Sequence, residues 1–162
     1  MSIKLAVDNN PTYNGDTKIM NLFTGGVCME EQKVISVLQE NGYRAVLGQT
    51  IMGNLKPKTN FLLPNFNAVR VKVHLLNFND QNEIIVIPFS FMGKLLPEEI
   101  YVVPFSSIDT VVFKDRMIYR NMIITLKDNP KRKKYKYQVN KKIAGYKWQG
   151  ENVKRIIEKL NA

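Results

Sequence analysis

The sequence has few of the residues that usually build chemical sites. Its 162 residues include one cysteine, Cys28, and one histidine, His74. A single cysteine excludes an intramolecular disulfide and favours a reducing compartment. Zinc and similar metals need several Cys, His, Asp or Glu side chains at set spacing, and the sequence has no such cluster. We therefore predict a fold held by its own core, without a metal or a cofactor.

Long apolar runs are also missing. The longest candidate, "EIIVIPFSFMGKLL", is interrupted by Pro88, Gly93 and Lys94, whereas a membrane-spanning helix needs about 20 predominantly apolar residues. The opening stretch "MSIKLAVDNNPTYNGD" lacks the apolar core of a secretory signal. These patterns predict a soluble, cytoplasmic protein.

Candidate catalytic residues are scarce. His74 lies beside Lys72 and Arg70 on the charged face of a predicted strand, so we interpret it as a surface histidine. Cys28 is predicted to pack as a small apolar residue, and "FMGKLL" lacks the spacing of a phosphate-binding loop. We predict no catalytic residue and no enzyme activity. A small enzyme that uses His74 and Cys28 remains as an alternative.

Positive charge is concentrated in the last third of the chain. The formal net charge is +10, and the segment from Lys114 onwards holds fifteen basic residues against four acidic ones. Half of the residues in "KDNPKRKKYKYQVNKK", 127–142, are Lys or Arg. A bias confined to one segment predicts a basic face rather than a general solubility effect.

Alternation separates this basic stretch into two faces. Successive side chains of a strand point to opposite sides, so Tyr135, Tyr137 and Val139 share a face that we predict to be buried. Lys134 and Lys136 then lie on the outer face. This arrangement disfavours a platform on which aromatic rings and cations share one surface. The cations, rather than the tyrosines, therefore indicate a partner.

The candidate partner-binding residues are the cations of this stretch and of the strand before it: Lys131, Arg132, Lys133, Lys134, Lys136, Lys141, Lys142 and Arg120. We expect a non-catalytic binding or adaptor module that presents this basic face to a protein or another anionic partner. A nucleic-acid binder and a peripheral binder of an anionic membrane surface are the alternatives. The same lysines also fit a solvated hairpin. No small-molecule substrate is predicted.

Apolar residues recur at helical spacing in two segments. We predict one helix over 30–41, where acidic residues suit the first turn and Gly42 suits the stop. A second, amphipathic helix is predicted over 149–160. The apolar residues of the second helix are Val153, Ile156, Ile157 and Leu160. Trp148, just before it, is expected to anchor the helix to the rest of the fold.

The segment between the helices reads as about seven short strands, beginning in "YRAVLGQTIM". "AVRVKVHLL" and "EIIVIPFSFM" are predicted to form a hairpin. We expect a mainly β (α+β) fold: a small antiparallel barrel whose open end is capped by the C-terminal helix. Residues 1–29 are predicted to form an irregular arm, and 30–162 the barrel domain with its preceding helix.

The run "IYVVPFSSIDTVVFKDRMIYRNMIITLKD", followed by a Lys/Tyr strand and a terminal helix, resembles bacterial pleckstrin-homology-like (PH-like) domains. Pro104, Phe105, Ile108 and Val111, followed by "MIITLKD", carry the resemblance, which covers residues 100–160 and, more loosely, 43–100. A threonine–arginine pair that many members carry on an early strand is absent from "NEIIVIPFSFMGKLL". The resemblance implies a PH-like barrel with a C-terminal helix, and a scaffolding, oligomerising or lipid-facing role in a bacterial or mobile-element setting.

Overall fold

A computed structural model describes residues 29–56, 72–90, 93–127 and 134–162 of the chain. A helix at each end of this part flanks seven strands. The elements in chain order are α1 (Glu31–Glu40), β1 (Thr50–Leu55), β2 (Lys72–Phe78), β3 (Glu83–Pro88), β4 (Tyr101–Pro104), β5 (Ile108–Asp115), β6 (Tyr119–Leu126), β7 (Lys134–Asn140) and α2 (Gln149–Asn161). In the described part, neither helix has the length and apolarity to cross a membrane.

The seven strands form one antiparallel sheet in the order β4-β3-β2-β1-β7-β6-β5. Strands β1 to β4 pair in sequence order, as do β5 to β7, and β1 joins β7 and thereby links the two groups. The predicted hairpin is confirmed, with Leu76 opposite Val86 in the β2–β3 ladder. The predicted mainly β fold with a C-terminal helix is therefore confirmed.

One face of the sheet closes around a core shared by both groups of strands. Phe78 and Ile84 come from the first group, and Phe113 and Met122 come from the second. The apolar stripe of α2 packs into the same core, where Ile156 is fully buried. The sheet therefore curls into a small barrel-like shape, and α2 buries its apolar stripe against this core, as its amphipathic pattern predicted.

The opposite face of β1 to β3 is buried as well, because α1 lies on it. Val34 and Leu38 of α1 join Val73, Leu75 and other strand residues in a second apolar cluster. Trp148 packs against this cluster, and its indole N–H donates to the backbone oxygen of Met29, at 2.9 Å. The predicted anchoring role of Trp148 is confirmed, and the contact fixes the start of α1 beside the start of α2.

The backbone of β1 needs partners that β7 does not supply. β1 and β7 pair at Asn54 and Leu55 only, and the preceding half of β1 faces the start of α2 instead. There the buried Gln149 accepts the N–H of Met52 at 2.9 Å and donates to the Met52 oxygen at 3.0 Å. Its amide also donates to Asn140 of β7, at 3.1 Å. Gln149 therefore fills the gap where the two strands separate.

Two further side chains supply hydrogen-bond partners to the backbone at the first residue of β1. Asn152 donates to the Thr50 oxygen at 2.9 Å. Glu31, only 7% exposed, accepts the N–H groups of Gly48 and Thr50 at 2.9 and 3.1 Å. Acidic residues in the first turn of α1 were expected to interact with the helix dipole, and Glu31 also binds this backbone. Buried backbone groups are costly without partners, so these contacts hold β1 in place.

The two predicted helices are confirmed, since 30–41 is observed as Glu31–Glu40 and 149–160 as Gln149–Asn161. The predicted first strand, 43–52, is wrong over its first seven residues, because β1 begins at Thr50. Gly48 adopts a φ of +81°, which L side chains rarely adopt, and Glu31 captures the backbone at this bend. The predicted arm over 1–29 lies, apart from Met29, outside the described residues.

We expect Gln149→Leu to lower the free energy of unfolding by at least about 2 kcal/mol, because it leaves buried backbone groups of Met52 without partners. Urea unfolding followed by circular dichroism measures the effect. Lys154→Ala, on the exposed side of α2, is the matched control and should change stability little. Equal unfolding midpoints for the two variants would contradict the proposed role of Gln149.

Candidate functional site

Strand β7 carries the basic residues that the sequence singled out, and its alternation is as predicted. Lys134 and Lys136 are exposed, whereas Tyr137 and Val139 are 2% and 1% exposed. Tyr135 is half-buried against the core. The tyrosines of this strand therefore belong to the interior, and its lysines form part of the surface.

Tyr137 reaches across the core to His74 on β2. The Tyr137 hydroxyl oxygen lies 2.9 Å from Nδ1 of His74. Gly53 makes room for the ring, since a Cβ at this position would lie 3.1 Å from Cδ1 of Tyr137. Burial first, and then the nearby Tyr101, raise the pKa of Tyr137 above its ordinary value. The phenol is therefore protonated at neutral pH.

The surface position predicted for His74 is wrong, because the side chain is only 4% exposed. The sequence pattern assigned the charged face of β2 to solvent, but both faces of this strand are buried. The His74 face points into the barrel, and α1 covers the opposite face. Burial, followed by the charge of Lys72, lowers the pKa of His74 to about 4. A neutral imidazole with a phenol partner is a stable interior pair.

On the outer face, further residues join the lysines of β7. Lys56 follows β1 directly, and its N–H donates to the Lys136 oxygen at 2.8 Å. Its ammonium nitrogen lies 5.7 Å from the centre of the Tyr119 ring, within the range of a cation–π contact. We call Lys56, Lys134, Lys136 and Tyr119 the basic sheet face. Neither Lys56 nor Tyr119 was predicted, because their proximity depends on the long-range pairing of β1 with β7.

A second basic region lies at the β5–β6 hairpin. Asp115 contacts Nε of Arg120 at 3.3 Å and Nζ of Lys141 at 2.8 Å. Burial alone would raise the pKa of Asp115, but the Lys141 hydrogen bond and the charge of Arg120 outweigh it and lower the pKa. Asp115 therefore stays ionised at neutral pH and holds both cations at the hairpin.

The eight predicted partner-binding residues do not form one compact group. Lys134 and Lys136 lie on the basic sheet face, whereas Lys141 and Lys142 follow the opposite end of β7. Arg120 and Lys141 both contact Asp115, and Lys142 is exposed. The remaining three, Lys131, Arg132 and Lys133, lie outside the described residues.

Metal ligands do not cluster in the described ranges, which hold no group of three His, Cys, Asp or Glu side chains suited to an ion. Cys28 lies outside those ranges, so a pairing of Cys28 with His74 stays untested. Comparisons with family models, curated proteins and solved structures found no match for the chain.

The buried histidine predicts how stability changes with pH. The pKa of His74 is 6.5 when unperturbed and about 4 in the fold. The fold therefore has its full stability above the unperturbed value and loses stability as pH falls toward about 4, because the unfolded chain binds the proton first. From about pH 7 to about pH 4.5, the free energy of unfolding should fall by about 2 kcal/mol more in the wild type than in His74→Gln.

Urea unfolding at each pH measures this difference. The carboxylates also make the free energy of unfolding depend on pH, but they do so equally in both proteins, so the difference between the two isolates His74. Parallel pH profiles for the two proteins would contradict the prediction, because they would show that His74 has the same proton affinity in the folded and unfolded chain.

Proposed function

We propose that the chain is a non-catalytic binding module whose basic sheet face holds an anionic partner. The supporting observation is the unequal covering of the sheet. α1 packs on the outer face of β1 to β3, whereas Lys134 and Lys136 on the outer face of β7 are exposed to solvent. A covered face contributes to the core, and an exposed basic face is available to a partner.

The charges around this face support an anionic partner. Strands β5 to β7 contain two carboxylates, Asp109 and Asp115, and Asp115 is already in contact with Arg120 and Lys141. Lys56 and Lys136 lie on neighbouring strand segments joined by a backbone hydrogen bond. Like charges this close repel each other, so an anion that contacts both of them relieves the repulsion.

A protein with an acidic surface is the first partner that we propose. A standard protein interface buries roughly 800 Å² on each partner, so such a partner would also cover outer-face residues beside the basic sheet face. Electrostatic attraction would make the association fast and sensitive to salt. The resemblance of the sequence to PH-like domains, a family that includes scaffolding modules, also favours a protein partner. The lone cysteine supports our proposal of a cytoplasmic location.

Single-stranded nucleic acid is the second candidate, and Tyr119 is the observation that favours it. The ring lies on the same surface as Lys56. Proteins that bind single strands combine aromatic rings, on which bases stack, with cations that contact the phosphates. The tyrosines of β7 do not offer this combination because they point into the core.

Charge reversal on the basic sheet face tests the proposal. The variant Lys56→Glu, Lys134→Glu, Lys136→Glu should bind polyglutamate and a labelled single-stranded oligonucleotide at least about tenfold more weakly than wild type at low salt. Fluorescence anisotropy over a salt series measures both affinities. Because fewer cations take part, the salt dependence should also become shallower.

The matched control reverses three exposed lysines outside this face, Lys33, Lys94 and Lys154. It changes the net charge by the same amount, so it separates a local site from overall attraction. Equal weakening by both triple variants would contradict a site on the basic sheet face. The single variant Tyr119→Ala, made in the wild type, distinguishes the partners, since it should weaken oligonucleotide binding and leave polyglutamate binding unchanged.

A further inference from the structure

The β5–β6 hairpin ends in two adjacent apolar side chains that face solvent. Met117 is 82% exposed and Ile118 is 44% exposed. We call these two residues the hairpin tip. The other large apolar side chains exposed in the described ranges, Leu47 and Tyr101, are 57% and 42% exposed and are separate from each other in sequence. Single exposed apolar residues are ordinary, but an adjacent pair at the apex of a hairpin invites an explanation.

The backbone of the hairpin is well supported. The N–H of Arg116 donates to the oxygen of Tyr119 at 2.9 Å, and the N–H of Lys141 donates to the oxygen of Ile118 at 3.1 Å. The tip is therefore tied to its own hairpin and to the segment that follows β7. Its side chains project from a fixed base.

Turn formation does not account for a Met–Ile pair. Two-residue hairpin connections favour Asn, Asp and Gly, which accept positive φ or bond to their own backbone. In the described ranges Asn82 is the one non-glycine residue with positive φ, so Met117 and Ile118 do not adopt that conformation. Neither side chain is needed for turn geometry, and most of Met117 and nearly half of Ile118 stay in water, which points to a partner.

Cations surround the tip. Arg116 precedes it directly, and Lys142 is exposed beyond the end of β7. Arg120 and Lys141 are held at the base of the hairpin by Asp115. Among the described residues, this end of the sheet therefore combines four basic side chains with the carboxylate of Asp115, and the apolar pair lies at its apex.

We infer that the hairpin tip inserts into the interface of an anionic lipid bilayer. A bilayer presents negative headgroups above an apolar interior, which matches cations at the base and apolar side chains at the apex. Two side chains are far too small an apolar contact for a standard protein interface, which buries roughly 800 Å² on each partner. Nucleic acid has base faces rather than an aliphatic interior, and the tip has no aromatic ring to stack on them.

The hairpin tip shares no residue with the basic sheet face, although Tyr119 of that face directly follows Ile118. It lies at the β5–β6 turn, whereas Lys134 and Lys136 lie toward the opposite end of β7. An adaptor could therefore contact a membrane with the hairpin tip and an acidic partner with the sheet. The two proposals depend on different residues and fail independently.

Vesicle sedimentation tests the inference. The wild type should bind vesicles of phosphatidylcholine mixed with phosphatidylserine and should not bind vesicles of phosphatidylcholine alone. The double variant Met117→Ser, Ile118→Ser keeps every charge, and its partition coefficient should fall at least about tenfold, because two aliphatic side chains no longer leave water. Leu47→Ser, which removes an exposed apolar side chain elsewhere, is the matched control and should bind as wild type does.

A fluorescent probe at the apex gives a second measurement. In a Cys28→Ser background, Met117→Cys labelled with an environment-sensitive dye should shift its emission to the blue with anionic vesicles. Leu47→Cys with the same dye should not shift.

The outcomes separate this inference from the proposed function. Equal vesicle binding by wild type and the double serine variant overturns insertion. Binding of polyglutamate or the oligonucleotide without binding of anionic vesicles also overturns insertion, and it leaves the sheet-face proposal standing. Loss of vesicle binding in the double serine variant, with polyglutamate binding unchanged, supports insertion and shows that the variant is folded.

Discussion

The gap between β1 and β7 is the constraint that organises this structure. An antiparallel ladder would satisfy the backbone of β1 along its whole length, but these two strands pair only around Asn54 and Leu55. The backbone groups of Thr50 and Met52 on the β7 side of β1 would then be buried without partners, at a cost of about 1–3 kcal/mol for each group. Gln149 and Asn152 supply those partners from the first turn of α2. The start of α2 must therefore lie in the gap, and its apolar stripe then reaches the core.

The same constraint determines which surfaces remain exposed. Glu31 binds the first residues of β1 from the start of α1, so α1 is held against the outer face of β1 to β3. Trp148 joins the beginnings of both helices through its bond to Met29. With both helices committed to these positions, the outer surface of β7 keeps its lysines exposed. The location of the basic sheet face is thus a consequence of how the β1 backbone is satisfied.

Local patterns predicted the features that depend on neighbours in sequence. The bounds of α1 and α2 follow from apolar spacing and from stop signals such as Gly42. The alternation of β7 correctly assigned Tyr137 to the core and Lys136 to the surface. The strand count and the β2–β3 hairpin were also accessible, because turn residues separate short runs of β-forming residues.

The features that the sequence did not predict depend on contacts between distant segments. His74 has charged neighbours in sequence, yet it is buried because its side of β2 faces the barrel interior, where β7 places Tyr137 against it. The other side of β2 is covered by α1. Strand β1 starts late because Glu31, seventeen residues before Gly48, binds the bend. Asp115 turns Arg120 and Lys141 from free cations into an ion-paired group. A single sequence gives no pairing between such segments, so these contacts required the structure.

The ion-paired group at Asp115 also explains how the hairpin can carry so many cations near an apolar apex. Like charges repel, and the repulsion is stronger where the surroundings are partly shielded from water. An ionised Asp115 between Arg120 and Lys141 offsets part of that repulsion, and its lowered pKa keeps it ionised at neutral pH. The hairpin end still has an excess of positive charge, because Arg116 and Lys142 add to it. A negatively charged surface would therefore attract the hairpin end, and the hydrogen-bonded backbone at Ile118 would present the apolar apex to an apolar layer beneath that surface.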